Sequence, residues 1–358
     1  MKLSQNQRKI YLLALAVLAL AVALGGAWAL WPRPVSGPAA LSTPTASPTA
    51  TVQPTSDVAA SGGAVKKTAT IVYYQDNYGY LVPVQCQVPM ADGIAKATLS
   101  MMVQSPSNDM QAARLGLRTI LPENTSIDLD ISKGLARVDL GAEVLNMPDA
   151  AAEAGMVQAV VQALTEFDTV DRVEFLIGGQ KRQRLTHGTD VSGQFSRGDI
   201  NLESAEPTMA GASAEPVMLY FPADSGSVIV PVTRMVSKGD INTAVLELAK
   251  GPSGDALLGS VVPAGCGLID VKVENGVAKL NFTGEFVDLV NSSDGGRMAL
   301  KALALTCAQF DGVKAVEIYV DGQKYDAGDL GVPSFMNIAE NIVDDYIQTQ
   351  ANAIFDDE

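Results

Sequence analysis

The chain has a single histidine, His187, in 358 residues. A charge-relay triad needs an imidazole held between a nucleophile and an acid. A tetrahedral zinc site of the usual kind draws on several His and Cys ligands. His187 sits in Lys181-Arg182-Gln183-Arg184-Leu185-Thr186-His187-Gly188 and reads as a solvated loop residue; carboxylate-only metal sites stay open. Cysteine is almost as scarce. Cys86, Cys266 and Cys307 are far apart, with no metal-like or framework-like spacing. Three unpaired, partly buried thiols are the favoured reading, with a Cys266–Cys307 bridge as the alternative. Positive charge is short as well, with 25 Lys and Arg against 40 Asp and Glu and a net charge of −15. Nucleic-acid binding needs clustered cations that displace counterions from phosphates. No basic stripe interleaved with aromatics occurs, so nucleic acid is not an expected partner. The acidity reads as a solubility feature.

The material that is present can fold: 47% of residues are hydrophobic and 18% charged. Residues 10–31 are an uninterrupted apolar run preceded by Lys2, Arg8 and Lys9. About 20 apolar residues span a bilayer as a helix, and flanking cations stay cytoplasmic. The run is therefore predicted to be a transmembrane anchor that places the rest of the chain outside the cell membrane, with residues 1–9 cytoplasmic. The alternative is a signal peptide cleaved near Ala29, which would release the chain. No Cys follows the run to accept a lipid. Residues 32–68, rich in Pro, Ala, Ser and Thr, are predicted to be an unfolded spacer.

Beyond the spacer the sequence repeats. Phe167-Asp168-Thr169-Val170 with Val173-Glu174-Phe175 and Gly178-Gly179-Gln180-Lys181 returns as Phe310-Asp311-Gly312-Val313 with Val316-Glu317-Ile318 and Asp321-Gly322-Gln323-Lys324. Leu81-Val82-Pro83-Val84 answers to Ile229-Val230-Pro231-Val232, Ser105-Pro106 to Gly251-Pro252, and Leu121-Pro122 to Val262-Pro263. The period of roughly 140 residues far exceeds the about 20–50 of a solenoid. It is the size of a domain. Two tandem domains are expected at 69–203 and 216–334, joined by a linker at 204–215 and followed by an acidic amphipathic tail at 335–358.

Local patterns agree between the copies. Asp76-Asn77-Tyr78-Gly79 lies between two β-rich runs, a hairpin signal that returns at residues 223–226. A helix is predicted at 93–103 and at 241–250, ended by Pro106 or by Gly251-Pro252. Ile127-Asp128-Leu129-Asp130-Ile131 and its partner at 269–273 alternate as half-covered strands, and each turns back into a second strand. A second helix at 151–166 or 296–310 precedes a final strand. Each unit reads β-β-α-β-β-α-β. The expected class is α+β: two α/β sandwiches, each a mixed sheet with two helices on one face.

These motifs, in this order and twice over, resemble the GerMN domain of bacterial sporulation and germination proteins. The resemblance covers residues 69–200 and 216–334. It implies an extracytoplasmic interaction module related in shape to ring-building domains of secretion-type complexes. It also implies a part in spore formation or germination through an envelope or sporulation protein complex. No catalytic residues come with it, and a lipid-bearing Cys found in such proteins is missing here.

Candidate chemistry is weighed against the repeat. Asp128, Asp130 and Asp139 read as the wet face of a sheet, since copy two has Asp270, Lys272 and Asn281 near those places. Glu143 and Glu285 recur, and fit carboxylates placed at a helix start. No catalytic, cofactor or metal residue is predicted, and the chain is not expected to be an enzyme. Two groups remain as contacts for a glycan or partner: Tyr78 and Tyr80 on the hairpin, and the basic run Lys181, Arg182 and Arg184. Packing is the favoured role for the tyrosines and a solvated loop for the basic run. An interaction scaffold leads, a peptidoglycan-binding module is the alternative, and a wall hydrolase comes third.

Overall fold

The structure is a computed structural model, which describes residues 67–90, 93–203, 214–253, 257–291, 295–327 and 337. The predicted anchor at 10–31 and nearly all of the spacer lie outside the described residues. So does the predicted C-terminal tail apart from Asn337. Among the described residues no helix is long and apolar enough to cross a membrane.

Copy one runs β1 (Lys67–Gln75), β2 (Leu81–Pro89), α1 (Ile94–Met101), α2 (Pro106–Ala113), β3 (Ile127–Ser132) and β4 (Gly134–Leu140). It closes with α3 (Ala150–Leu164), β5 (Val170–Ile177) and β6 (Gln194–Phe195). Copy two runs β7 (Glu215–Pro222), β8 (Ile229–Val236), α4 (Ile241–Ala249), β9 (Leu268–Glu274) and β10 (Val277–Phe282). Then follow α5 (Phe286–Asn291), α6 (Gly295–Ala308), β11 (Ala315–Val320) and β12 (Gln323–Tyr325). The result is a two-domain α+β fold with mixed sheets.

One expectation is corrected. The first hairpin of each copy does not join the mixed sheet. Strands β1–β2 and β7–β8 form separate two-stranded sheets, and the four-stranded sheets run β3-β4-β5-β6 and β9-β10-β11-β12. In each the middle pair is parallel and the outer pairs antiparallel. A parallel pair needs a crossover, which α3 and α6 supply. Helix α3 touches β1 and β5, and α6 touches β7 and β11, so these helices contact both sheets of their copy. Hence α3 is buried well beyond one stripe: Met156, Val157, Ala159, Val160, Val161, Ala163 and Leu164 are all buried. Each large side chain buried there contributes about 1.5–3 kcal/mol. The hairpins also break the alternation of a half-exposed sheet. Leu81, Val82, Pro83 and Val84 are consecutively buried, as are the four residues at 229–232. Unbroken buried runs mean both faces are covered.

What lies beside the hairpins is the other copy. The outer edges of β2 and β8 face each other and are joined by two asparagines in matching roles. Asn201 accepts from Leu81 N at 2.8 Å and donates to Leu81 O at 2.8 Å and Pro231 O at 2.7 Å. Asn337 accepts from Ile229 N at 2.8 Å and donates to Ile229 O and Pro83 O, both at 2.9 Å. Leu81 corresponds to Ile229 and Pro83 to Pro231, so the seam has an approximate two-fold symmetry. An open strand edge exposes unpaired backbone groups, and here side-chain amides pair with them. The recurring proline fits the scheme: at an outward-facing edge position its missing N–H costs no ladder bond, and its carbonyl takes the asparagine amide.

The segment leaving copy one adds a latch. Ile200 O accepts from Thr233 N at 3.0 Å, and Glu203 N donates to Thr233 O at 3.0 Å. The Glu203 carboxylate pairs with Arg234 through Nε at 2.5 Å and Nη2 at 3.0 Å. Arg234 also reaches Glu247 Oε2 at 3.2 Å and Gly251 O at 2.9 Å. Burial opposes ionisation of Glu203, yet the guanidinium of Arg234 and the amide of Ser253 hold its carboxyl below the usual value.

Candidate functional site

Copy one carries a cleft of about 760 Å³, lined by the hairpin turn, α2, the 117–122 segment and the start of α3. Its local structure follows from a few residues. Asp76 is buried and its Oδ1 accepts from Tyr78 N at 2.9 Å and Tyr80 N at 2.8 Å. Burial raises its pKa against those turn amides, which pull it down. Gly79 closes the turn at φ 96, a conformation that favours glycine. Gln75 is held by Arg118, whose Nη2 donates to Gln75 Oε1 at 2.8 Å, while Gln75 Nε2 donates to Gly79 O at 2.9 Å.

The opposite wall was not foreseen. Ser105-Pro106, expected only to end a helix, begins another. Ser105 accepts from Asn108 N at 3.3 Å as the N-cap of α2, and Pro106 occupies its first turn. Proline at the first helical position with Ser before it is a start signal for α2 as well as a stop for α1. Thr119 Oγ1 donates to Asp109 Oδ1 at 2.6 Å, tying α2 to the 117–122 segment. Asp149 caps α3 by accepting from Ala152 N at 2.8 Å.

Tyr78 lies on this cleft with 53% of its surface exposed. Tyr80 does not line it and packs half-buried against the core. The other hairpin tyrosines are structural. Tyr73 is buried, donates to Glu166 Oε1 at 2.6 Å and accepts from Arg197 Nη2 at 3.0 Å. Tyr74 is buried beside Cys86, their Oη and Sγ 3.9 Å apart.

The basic run is apart from the cleft. Lys181 donates to Glu174 Oε1 at 2.7 Å, whose other oxygen accepts from Arg137 Nε at 3.1 Å. Arg182 and Arg184 are exposed. Their loop is anchored beneath. Glu153 is fully buried on α3 and accepts from His187 N at 2.8 Å and Thr189 N at 3.3 Å. The His187 ring lies 2.7 Å from Met147 O. His187 is exposed in its loop, and its backbone N–H and ring also fasten that loop to Glu153 and Met147.

Other candidates resolve as framework. Asp139 Oδ1 accepts from Gly179 N and Asn281 Oδ1 from Gly322 N, both at 2.9 Å. The position needs an acceptor and not a charge. Glu285 follows the same logic: Thr283 Oγ1 donates to it at 2.5 Å, and that bond lowers its pKa. The cysteines are free, with Cys86 and Cys307 buried and Cys266 half-buried. Burial pushes Cys86 up to about 11 and Cys307 up to about 12, so both are inert thiols. Among the described residues no three His, Cys, Asp or Glu side chains converge as a metal site.

Known proteins match this arrangement twice along the chain. The family described as Germane, sporulation and spore germination, matches residues 71–183 and 218–326. The chain belongs to this family. The Germane (GerMN) copies coincide with the two structural units, and the seam lies between them. The spore germination protein GerM of Bacillus subtilis (strain 168) is 30% identical over 284 residues, covering 75% of each protein. The solved tandem GerMN domains of the sporulation protein GerM from Bacillus subtilis superpose with a TM-score of 0.60 at 27% identity. That match covers 77% of this chain and 100% of the other.

Proposed function

We propose that the chain is a non-enzymatic, membrane-tethered interaction protein of sporulation or spore germination, whose paired domains dock to an extracytoplasmic envelope complex. The observation that carries this reading is the seam. Residues that recur between the copies go into core, turns and the β2–β8 junction, while the candidate chemical residues differ. A doubled framework with unlike surfaces suits a rigid scaffold. Membership of a family described by sporulation and spore germination supports the process. The test is a pull-down of the tagged chain from sporulating cells together with deletion of its gene. Recovery of the same envelope proteins in repeated pull-downs, with a sporulation or germination defect on deletion, is expected. Normal spores and no reproducible partner would sink the proposal. A lytic band on a peptidoglycan zymogram would remove its non-enzymatic part.

A second reading, a peptidoglycan-binding module, is favoured by one observation: the exposed aromatic ring of Tyr78 stands on a cleft of mixed polar and apolar lining. Co-sedimentation of the chain with purified cell wall tests it, and wild-type protein left in the supernatant would dispose of it.

A further inference from the structure

We propose that the copy-one cleft is a saccharide site that takes a short N-acetylated glycan segment, with Tyr78 as its stacking platform. The inference rests on the wall-binding reading above and gives it a place and a ligand chemistry. The lining has the mixed character of a polyol site. Side chains of Gln75, Asn77, Gln104 and Thr119 offer neutral donors and acceptors, and the charged lining residues are Arg118, Asp109 and Asp149. A phosphate or nucleotide site would concentrate cations, whereas here the N-terminus of α3 on the cleft is already capped by the Asp149 carboxylate. An acetamido group carries one N–H, one carbonyl and a methyl, and the lining includes both carboxamides and the apolar Ala113 and Leu117. The volume falls within the about 300–1,000 Å³ of small-molecule clefts.

Two features show a surface already organised. Gln75 is fixed at both ends of its carboxamide by Arg118 and Gly79. The turn that carries Tyr78 is fixed by Asp76. Little ordering is left for a ligand to induce, and preorganisation favours affinity.

Comparison with copy two isolates the site. The turn glycine recurs as Gly226, with φ 66 against 96. The cleft residues do not recur: Gln75, Tyr78, Gln104 and Arg118 correspond to Pro222, Ser225, Lys250 and Gly259. The copies keep their seam in common and part company where this cleft lies.

The experiment is calorimetric titration of the purified full-length chain with chitotetraose, cellotetraose and a reduced disaccharide muropeptide. Saturable binding of chitotetraose is expected, with cellotetraose, which lacks acetamido groups, at least about tenfold weaker. A muropeptide that binds better than chitotetraose would assign the site to wall glycan, and the reverse order to a chitin-like glycan. Tyr78→Ala and Gln104→Ala should each weaken binding about tenfold or more without moving Tm, and Ser225→Ala should change nothing. Absence of saturable binding, equal binding of cellotetraose, or binding that survives Tyr78→Ala would overturn the proposal. Wall co-sedimentation that persists in Tyr78→Ala would overturn the cleft alone, whereas failure of the wild type to co-sediment would overturn the wall-binding reading as well.

Discussion

Copy one and copy two fold alike in their centres and differ at their rims. Both have the hairpin, a crossover helix and a mixed sheet with one parallel pair. Among the described residues copy one adds α2 and the long loop that Glu153 anchors; the residue corresponding to Glu153 in copy two is Gly296. Copy two closes its last hairpin at once, through β11 and β12. It puts Arg234 where copy one has Cys86. The same edge-strand position is therefore a buried ionic latch in one copy and a small buried thiol beside Tyr74 and Gln111 in the other. A duplicated domain keeps what holds it together and is free to vary what it shows to solvent or to its linker.

The largest effect should come from that latch. Arg234→Ala would leave the Glu203 carboxylate, with 10% side-chain exposure, without a cation and with only Ser253 as partner, while Glu247 would keep Lys250. Losing one partner of a buried pair costs about 3–5 kcal/mol. Cys86→Ala, its counterpart, removes only a thiol and should cost about 1 kcal/mol, by analogy with the smallest core truncations. Urea unfolding followed by far-UV circular dichroism measures both. Equal costs would end the claim that the copies use this position differently.

Next come the asparagines, where the copies should behave alike. Asn201→Ala and Asn337→Ala each leave backbone groups of β2 and β8 without partners, a loss of about 1–3 kcal/mol. Asn337, buried to 5% exposure, should be the costlier. Because the two clamp one seam, the double variant should depart from additivity, as coupled sites do. Strict additivity would mean that each asparagine serves its own domain only.

Acid should reach copy two through the same latch. The Glu203 carboxyl is held low in the folded state. Its stabilising contribution is complete above the unfolded glutamate value of about 4.3 and is lost as pH falls through the lower folded value. Unfolding midpoints taken below pH 5 should therefore drop more steeply for the wild type than for Glu203→Gln. Parallel curves would show that the ion pair adds nothing to the junction.

The framework was legible because it repeats. Local signals placed the hairpins, Ile94–Met101, Ile241–Ala249 and the crossover helices to within a few residues, since turn chemistry and periodicity act over short stretches. The seam was not legible. Asn201 lies at the very end of the expected first domain and Asn337 in the expected tail, and what they do depends on partners far off in sequence. A trace existed: Ile200-Asn201-Leu202 and Met336-Asn337-Ile338 are a second, fainter repeat placed after each copy. Period-two alternation also hid the split of the sheets. The buried runs at 81–84 and 229–232 carried the information that both hairpin faces are covered. In the cleft, Tyr78 was visible as one of several tyrosines, but only the fold separates it from Tyr73 and Tyr74, which are buried within the same hairpin.

The smallest effect on stability, and the sharpest contrast between copies, belongs to the hairpin tips. Tyr78→Ser would give copy one the tip residue of copy two, where Ser225 stands. The ring is exposed, and the turn is held by Asp76 through backbone amides that the substitution leaves in place. Surface changes of this kind stay within about 0.5 kcal/mol. Tyr73→Phe, one strand residue inside, removes a hydroxyl that both donates to Glu166 and accepts from Arg197. A net hydrogen bond to charged groups is worth about 1.5–3 kcal/mol. The two substitutions sit five residues apart and should differ several-fold in cost by thermal unfolding. A large loss from Tyr78→Ser would mean that the ring supports the fold, and it would then have to be moved from the cleft's binding surface to its wall.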